Sequence, residues 1–508
     1  MKKIYLISLV IAAYLLPGCV DLDVSPSSSI NKDDFYQTEE DAVSAVNGIY
    51  SILTKWPTGF YSLYGDFSIY LNDLSTDYVK AGANTNSQFI RELSSANVQP
   101  GNEFMNAGWE QHYIGINRAN LVVDKLSTGN LPEALKNRLI NEAKFLRGLF
   151  YYNIIRWWGD APLILHDGEG EGAARDNVDV LYQQVVKDFE DATNLPDDFP
   201  GSTGGRATNG AAVAMLSHVY LNWAQTDSEQ GKAKQSEFYQ KAIDYANRSI
   251  NSKKYYLFED FRDNFDVTKK NTGELIFSAQ HQQNDNTAGH CTFAMGWSDS
   301  EPVLIVSDTK FYDEIDNDDQ RKGGSYAKIL WQPSKGEFFT FKVPLFRKFI
   351  DTINFGANQF AGQNMNTVII RFAEVYLIKA EAENELRGPT PEAYAAINIV
   401  RRRAYKHFPL EASSPHDLSG LTKDQFREKL QEERNLEFIL EGQRWFDLVR
   451  WRKLVQTVKP YKPGVSLKSY KYPLPHDQII LNPNLKQNWG YDGTGGPNPY
   501  IGYEPGYE

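Results

Sequence analysis

Helical periodicity recurs in neighbouring pairs along most of this chain, and that pattern restricts the fold more than any other feature of the sequence. Thr38 before Glu39-Glu40-Asp41 supplies an N-cap and an acidic first turn; Ala42, Val43, Val46, Ile49, Tyr50 and Leu53 then make an apolar stripe that Pro57 stops. Further helices are predicted over Trp109–Leu126, Leu131–Trp158, Val178–Asn194, Asn209–Ala224, Ser236–Ser252, Asn366–Arg387, Pro391–Tyr405 and Thr422–Leu454. In two pairs the packing is written out. Ala211 to Leu216 runs on through Val219, Tyr220 and Leu221 and is answered by Tyr239, Ala242, Ile243 and Ala246; Ile369–Glu385 and Ala393–Arg403 are separated by Gly388-Pro389. Small residues at helical spacing let two helices approach closely, and stacked helical hairpins bury one continuous core while exposing broad faces. The predicted class is mainly α, stacked hairpins with an irregular, loop-rich variable region.

That region lies between Lys253 and Met365, about 253–365, where Gly, Asn, Asp and aromatics replace the helical period and only short strand-like runs such as Glu274–Ala279 remain. A long irregular insertion in a helical scaffold is usually functional. From Lys459 to Glu508 a Pro-, Gly- and Tyr-rich tail, about 459–508, reads as a wrapping arm.

At the other end, Lys2 and Lys3 precede an apolar run, Ile4–Leu16, too short to span a bilayer comfortably and laid out as a secretory signal. It ends in Leu16-Pro17-Gly18-Cys19, which resembles the lipobox of bacterial lipoproteins apart from Pro17, where a small residue is usual. The resemblance implies removal of residues 1–18, acylation of Cys19 into the outer-membrane lipid, and a tether over 19–37 that includes Ser25-Pro26-Ser27-Ser28-Ser29. Cys291, the one other cysteine, is then left without an intramolecular disulfide partner.

The sequence excludes several function classes. A net charge of −12 argues against a polyanion binder, so no nucleic acid is expected. No P-loop, His-Glu-x-x-His or Gly-x-Ser-x-Gly run is present, Gly168-Glu169-Gly170-Glu171-Gly172 carries carboxylates that would repel phosphate, and His281, His290 and Cys291 match no zinc spacing. No cofactor, metal or catalytic residue is therefore assigned. A glycosidase needs only two carboxylates at the right separation, and Asp73 and Asp77, four apart, keep that alternative in view. Aromatics make up 13% of the chain, with 10 Trp, 29 Tyr and 28 Phe, enough for some rings to stand outside the core and stack on sugar faces.

Tyr239-x-x-Ala242-Ile243 resembles the second helix of a tetratricopeptide repeat. Together, Cys19-Val20-Asp21-Leu22-Asp23, Ala45-Val46-Asn47-Gly48-Ile49-Tyr50, Trp109 to Asn120, Glu142 to Arg147, Gly159-Asp160-Ala161-Pro162-Leu163, Arg371 to Leu377, Arg444 to Trp451, Tyr472-Pro473-Leu474-Pro475 and Asn482 to Asn488 resemble the SusD/RagB family of outer-membrane nutrient-binding lipoproteins across the body 38–508. The resemblance implies a tetratricopeptide-like scaffold that binds an oligosaccharide or polysaccharide, or in a minority of relatives a peptide. It also implies a protein that serves as the lid of a TonB-dependent outer-membrane (SusC-like) transporter, and Asp21 and Asp23 imply a location facing the cell exterior. Arg147, Arg371 and Arg444, beside Glu142, Glu374 and Glu441, read as interhelical charge pairs, and Trp445 with Phe446 as core.

Two aromatic loop regions are candidates for ligand contact. Trp56 to Tyr64 is followed by Asp73, Asp77 and Tyr78 and by a polar loop, Ala81 to Phe104; the second region is His281 to Trp297. The expected ligand-binding residues are Trp56, Tyr61, Asp73, Asp77, Tyr78, Arg91, Asn102 and Trp297, with Asp77 resembling the acidic residue that opens the family's first binding loop.

Overall fold

The structure, a computed structural model, describes residues 35–54, 62–83, 85–199, 204–282, 304–332, 336–350, 364–493 and 496–507. Its scaffold consists of α1 (Glu39–Thr54), α2 (Glu103–Thr128), α3 (Glu133–Trp158), α4 (Val178–Ala192), α5 (Asn209–Ala224), α6 (Gln235–Asn251), α7 (Phe372–Arg387), α8 (Pro391–Ala404), α9 (Lys423–Glu437) and α10 (Arg444–Arg450). From α1 to α8 each packs on its successor, the stacked-hairpin arrangement of a mainly-α, tetratricopeptide-like fold, and α9 returns onto α7. Thr38 caps α1 as predicted, its Oγ1 accepting from Asp41 N–H at 3.1 Å.

Close approach depends on glycines and alanines at the contacts. A Cβ at Gly115 of α2 would lie 2.7 Å from Cζ of Phe150 on α3, and one at Gly148 of α3 would meet Asp188 on α4 at 3.2 Å. Helix α5 is buried from Ala211 to Ala224, enclosed by α4, α6 and α7, and apolar side chains stand on every side of it, with Ser217, His218 and Asn222 among them. Its His218 sits there neutral, because burial pushes the imidazole well below its usual range.

Although 120 residues separate α6 from α7 in the chain, the two pack directly. The intervening segment leaves and returns through an antiparallel ladder of β2 (Leu275–Ala279) and β6 (Thr367–Arg371). Thr367–Arg371, expected as the start of a helix, is strand because its β-branched Thr-Val-Ile-Ile run finds this partner, and the helix begins at Phe372. Within the insertion β3 (Leu304–Val306) pairs with β1 (Val79–Ala81), and β4 (Tyr326–Gln332) forms a hairpin with β5 (Glu337–Phe346).

Buried ion pairs root the insertion on the scaffold. Arg321 meets Glu433 at 2.6 Å and Glu437 at 3.1 Å as well as its neighbour Asp319; Arg371 meets Glu274, Glu437 and Glu441; Arg403 meets Glu274 and Glu437; Lys348 meets Glu441 at 2.6 Å. With Arg401 on Glu433, five basic and five acidic side chains balance. Burial alone would raise the Glu437 carboxyl, but Arg403, Arg371 and Arg321 outweigh it and hold it well below the usual carboxylate range.

The tail lies against α3: Trp158 Nε1 donates to Pro473 O at 3.1 Å, Tyr472 stacks on Trp445 at 5.0 Å, and Asn488 Nδ2 donates to Trp158 O and Tyr472 O. Trp445 and Phe446 are core.

Candidate ligand-binding corner

Chain ends from three parts of the sequence meet at the carbonyl of Tyr64. This residue lies in a π-helical turn, Leu63–Phe67, where its own φ/ψ of −108° and 44° break the helix and turn its carbonyl aside. Thr367 Oγ1 donates to that oxygen, and His281 Nε2 lies 3.1 Å from it and 3.1 Å from Thr367 Oγ1. The His281 N–H donates to Asn366 Oδ1 at 3.1 Å, and Asn366 Nδ2 donates to Gln280 Oε1 at 2.8 Å. From behind, Asn153 Nδ2 on α3 donates to the Tyr64 hydroxyl at 2.7 Å. Burial raises that phenol to about 12, so it stays neutral. The corner is thus a knot of hydrogen bonds standing directly on the β2/β6 ladder.

Both aromatic loop regions start or end here. Ser62 follows residues 55–61, Gln282 precedes 283–303, and Asn364 follows 351–363. The far end of 283–303 returns as β3, with Leu304 opposite Ala81 and Ser307 N–H donating to Tyr78 O at 2.8 Å. Beside β3 stands β5, whose hairpin shows Ile329, Phe338 and Val343 to solvent, Phe338 at 70%. Trp56, Tyr61 and Trp297, like Cys19, lie outside the described residues; the described ends of the segments carrying these rings are brought together.

The remaining expected contacts have other employment, and most are corrected. Asp73 and Tyr78, both fully buried, bond to one another. The Asp73 carboxylate also accepts from Gly442 N–H at 2.9 Å, while the Tyr78 hydroxyl accepts from Leu440 N–H at 3.0 Å. Leu440 and Gly442 adopt φ of 60° and 75°, and there the single helix expected over Thr422–Leu454 breaks into α9, a turn and α10. Asp77, 2% exposed, receives Arg444 Nε at 3.0 Å and Nη2 at 2.8 Å at the first residue of α10. The segment 73–78 is therefore a clamp on this helix break, held by partners over 360 residues away. Burial pushes the Asp73 carboxyl up to about 7 despite the two donors. Neither carboxylate is open to a substrate, so this pair does not serve a glycosidase. Asn102 caps α2 and donates to Phe89 O and Glu92. Arg91 is exposed, but its Nη1 holds the carbonyls of Thr85 and Asn86 at 2.9 Å each.

Tyr64, His281, Asn366 and Thr367 were not expected as a set. The usable signal was that His281 opens the second aromatic loop region and Met365-Asn366 closes the irregular insertion. Among the described residues no group of three or more His, Cys, Asp or Glu is placed to hold a metal ion.

Residues 22–221 match the family model described as "Starch-binding associating with outer membrane", and residues 222–466 match the model of the SusD family. SusD-like protein P2 of Formosa agariphila is 26% identical over 96% of this chain and 99% of its own. Among solved structures, a SusD superfamily protein from Parabacteroides distasonis superposes with a TM-score of 0.75 at 24% identity, covering 89% of this chain and 99% of that one. Surface glycan-binding protein A from Bacteroides thetaiotaomicron, solved with laminarihexaose, superposes with a TM-score of 0.71 at 20% identity over 88% of this chain and 99% of that one.

Proposed function

Because the chain belongs to the SusD/RagB family, we propose that it is a cell-surface lipoprotein that captures an oligosaccharide without chemically altering it and passes it to a TonB-dependent outer-membrane transporter as that transporter's lid. The observation that supports this reading is the meeting, at Tyr64, His281 and Thr367, of the described residues that follow 55–61, precede 283–303 and follow 351–363. Rings on separate segments sharing one root can face a ligand from more than one side. Ring stacking removes apolar sugar surface from water at about 25 cal/mol per Å², whereas hydroxyls exchanging water for protein partners gain little.

A glycan array probed with the soluble form beginning at residue 20 tests the reading. Saturable binding to a restricted set of oligosaccharides, with no new reducing ends after incubation, is the expected result; silence across the array together with binding to peptides would overturn it. Anchoring is tested separately: Cys19→Ala should abolish palmitate incorporation and release the protein from the membrane fraction.

A further inference from the structure

Away from the corner, a cavity of about 160 Å³ opens between the C-terminal end of α3, the first turns of α4, the loop after α5, α10 and the tail. Four basic side chains border it, Arg156, Arg450, Arg452 and Lys471, against a single carboxylate, Asp227. Two of the four are already neutralised. Arg450 is paired with Glu381 and Asp447, and Arg452 with Asp227.

The other two have no ion pair among the described residues. Arg156 is sandwiched between the rings of Tyr152, 4.2 Å away, and Phe446, 3.9 Å away. Its Nη2 donates to the neutral Asn153 Oδ1 at 2.7 Å, and its Nε is buried with no hydrogen-bond partner. Lys471 spends one proton on Ile155 O at 2.9 Å, next to Arg156 in the chain. Burial lowers this ammonium to about 8, opposed by the field of Asp160, whose Oδ1 is occupied by Val178 N–H at 3.0 Å. Both side chains are half-buried beside one cavity and neither has an ion pair among the described residues, so an anionic group entering the cavity would complete them.

The walls narrow the choice of anion. Ile155, Val178, Phe446 and Val449 are apolar, and Tyr182, 2% exposed, has no hydrogen-bond partner for its hydroxyl among the described residues. An inorganic ion would leave these walls unused. We propose that this cavity is a second binding site, for a small carboxylate carried on a ring, with the carboxylate between Arg156 and Lys471 and the ring against Phe446 and Tyr182. The site stands apart from the glycan-binding reading and does not depend on it.

Calorimetry and thermal shift on the soluble form, at constant ionic strength, test the proposal with D-glucuronate, benzoate, D-glucose and inorganic phosphate as probes. At least one of the two ring carboxylates should bind saturably and raise the melting temperature, while glucose and phosphate should not. Lys471→Met should weaken that binding about tenfold or more, the loss expected for a charge-assisted contact, without lowering the melting temperature of the unliganded protein. Should Lys471→Met fail to fold, the near-isosteric Tyr182→Phe serves instead and should weaken binding severalfold. The proposal is overturned if neither carboxylate binds, if phosphate binds as well as they do, or if binding is unchanged in the folded variant.

Discussion

The insertion between β2 and β6 is attached to the scaffold in two chemically opposite ways. At its root, Glu274, Asp319, Arg321 and Lys348 are locked with Arg371, Arg403, Glu433, Glu437 and Glu441 in a charged cluster closed to water. At the corner, Tyr64, His281, Asn366 and Thr367 are joined by hydrogen bonds to carbonyl, amide and hydroxyl groups, with no ion pair among the bonds described. A buried ion that loses its partner is left with its full desolvation cost, whereas a neutral hydrogen bond contributes about 1 kcal/mol net. The difference teaches that the root tolerates one arrangement only, while the side from which the aromatic segments depart can vary at modest cost.

The sharpest way to break this comparison is Arg371→Met, which strips the cation shared by Glu274, Glu437 and Glu441. It should cost about 3–5 kcal/mol in urea denaturation. A loss under about 1 kcal/mol would mean that the root does not hold the insertion. Trp297→Ala probes the other side: about 1–3 kcal/mol of ligand affinity should be lost with the melting temperature nearly unchanged, and a large stability loss would instead assign this ring to the core. Thr367→Val should cost only about 1 kcal/mol of stability, because it removes a neutral bond to Tyr64 O.

Acid titration sharpens the contrast further. Glu437 and Glu441 have folded pKa values below the ordinary 4.5, so their contribution is present above pH 4.5 and is lost as pH falls through their lowered values. Wild type and Thr367→Val should therefore lose stability in acid along parallel curves. Arg371→Met should show a shallower loss, and identical slopes in all three would contradict the ionic account.

The helical scaffold was legible because its signals are local: the Thr38 cap, the alanines of α5 and the stripe of α1 each speak within one or two turns. Charge pairing between helices was legible in kind but not in partner. Arg147 pairs with Asp188 rather than Glu142, and Arg444 with Asp77 rather than Glu441, since partners are chosen by helix packing and not by chain distance. Asp73, Asp77 and Tyr78 have the composition of a ligand loop, and only the arrival of Leu440, Gly442 and Arg444 from the far end of the chain makes them a clamp. The same long-range folding hid the corner, whose polar residues come from positions 64, 281 and 366–367.

A ladder that closes an insert at its own base also makes the insert a graftable cassette. Helices α6 and α7 pack directly on each other, and the closure cost of a loop grows only logarithmically with its length, so exchange of the material between Gln280 and Asn366 should leave the scaffold in place. The cassette's true boundary is electrostatic: a donor sequence must bring its own equivalents of Asp319, Arg321 and Lys348 to meet the host's Glu433, Glu437 and Glu441. Otherwise the host is left with unneutralised carboxylates at the graft junction.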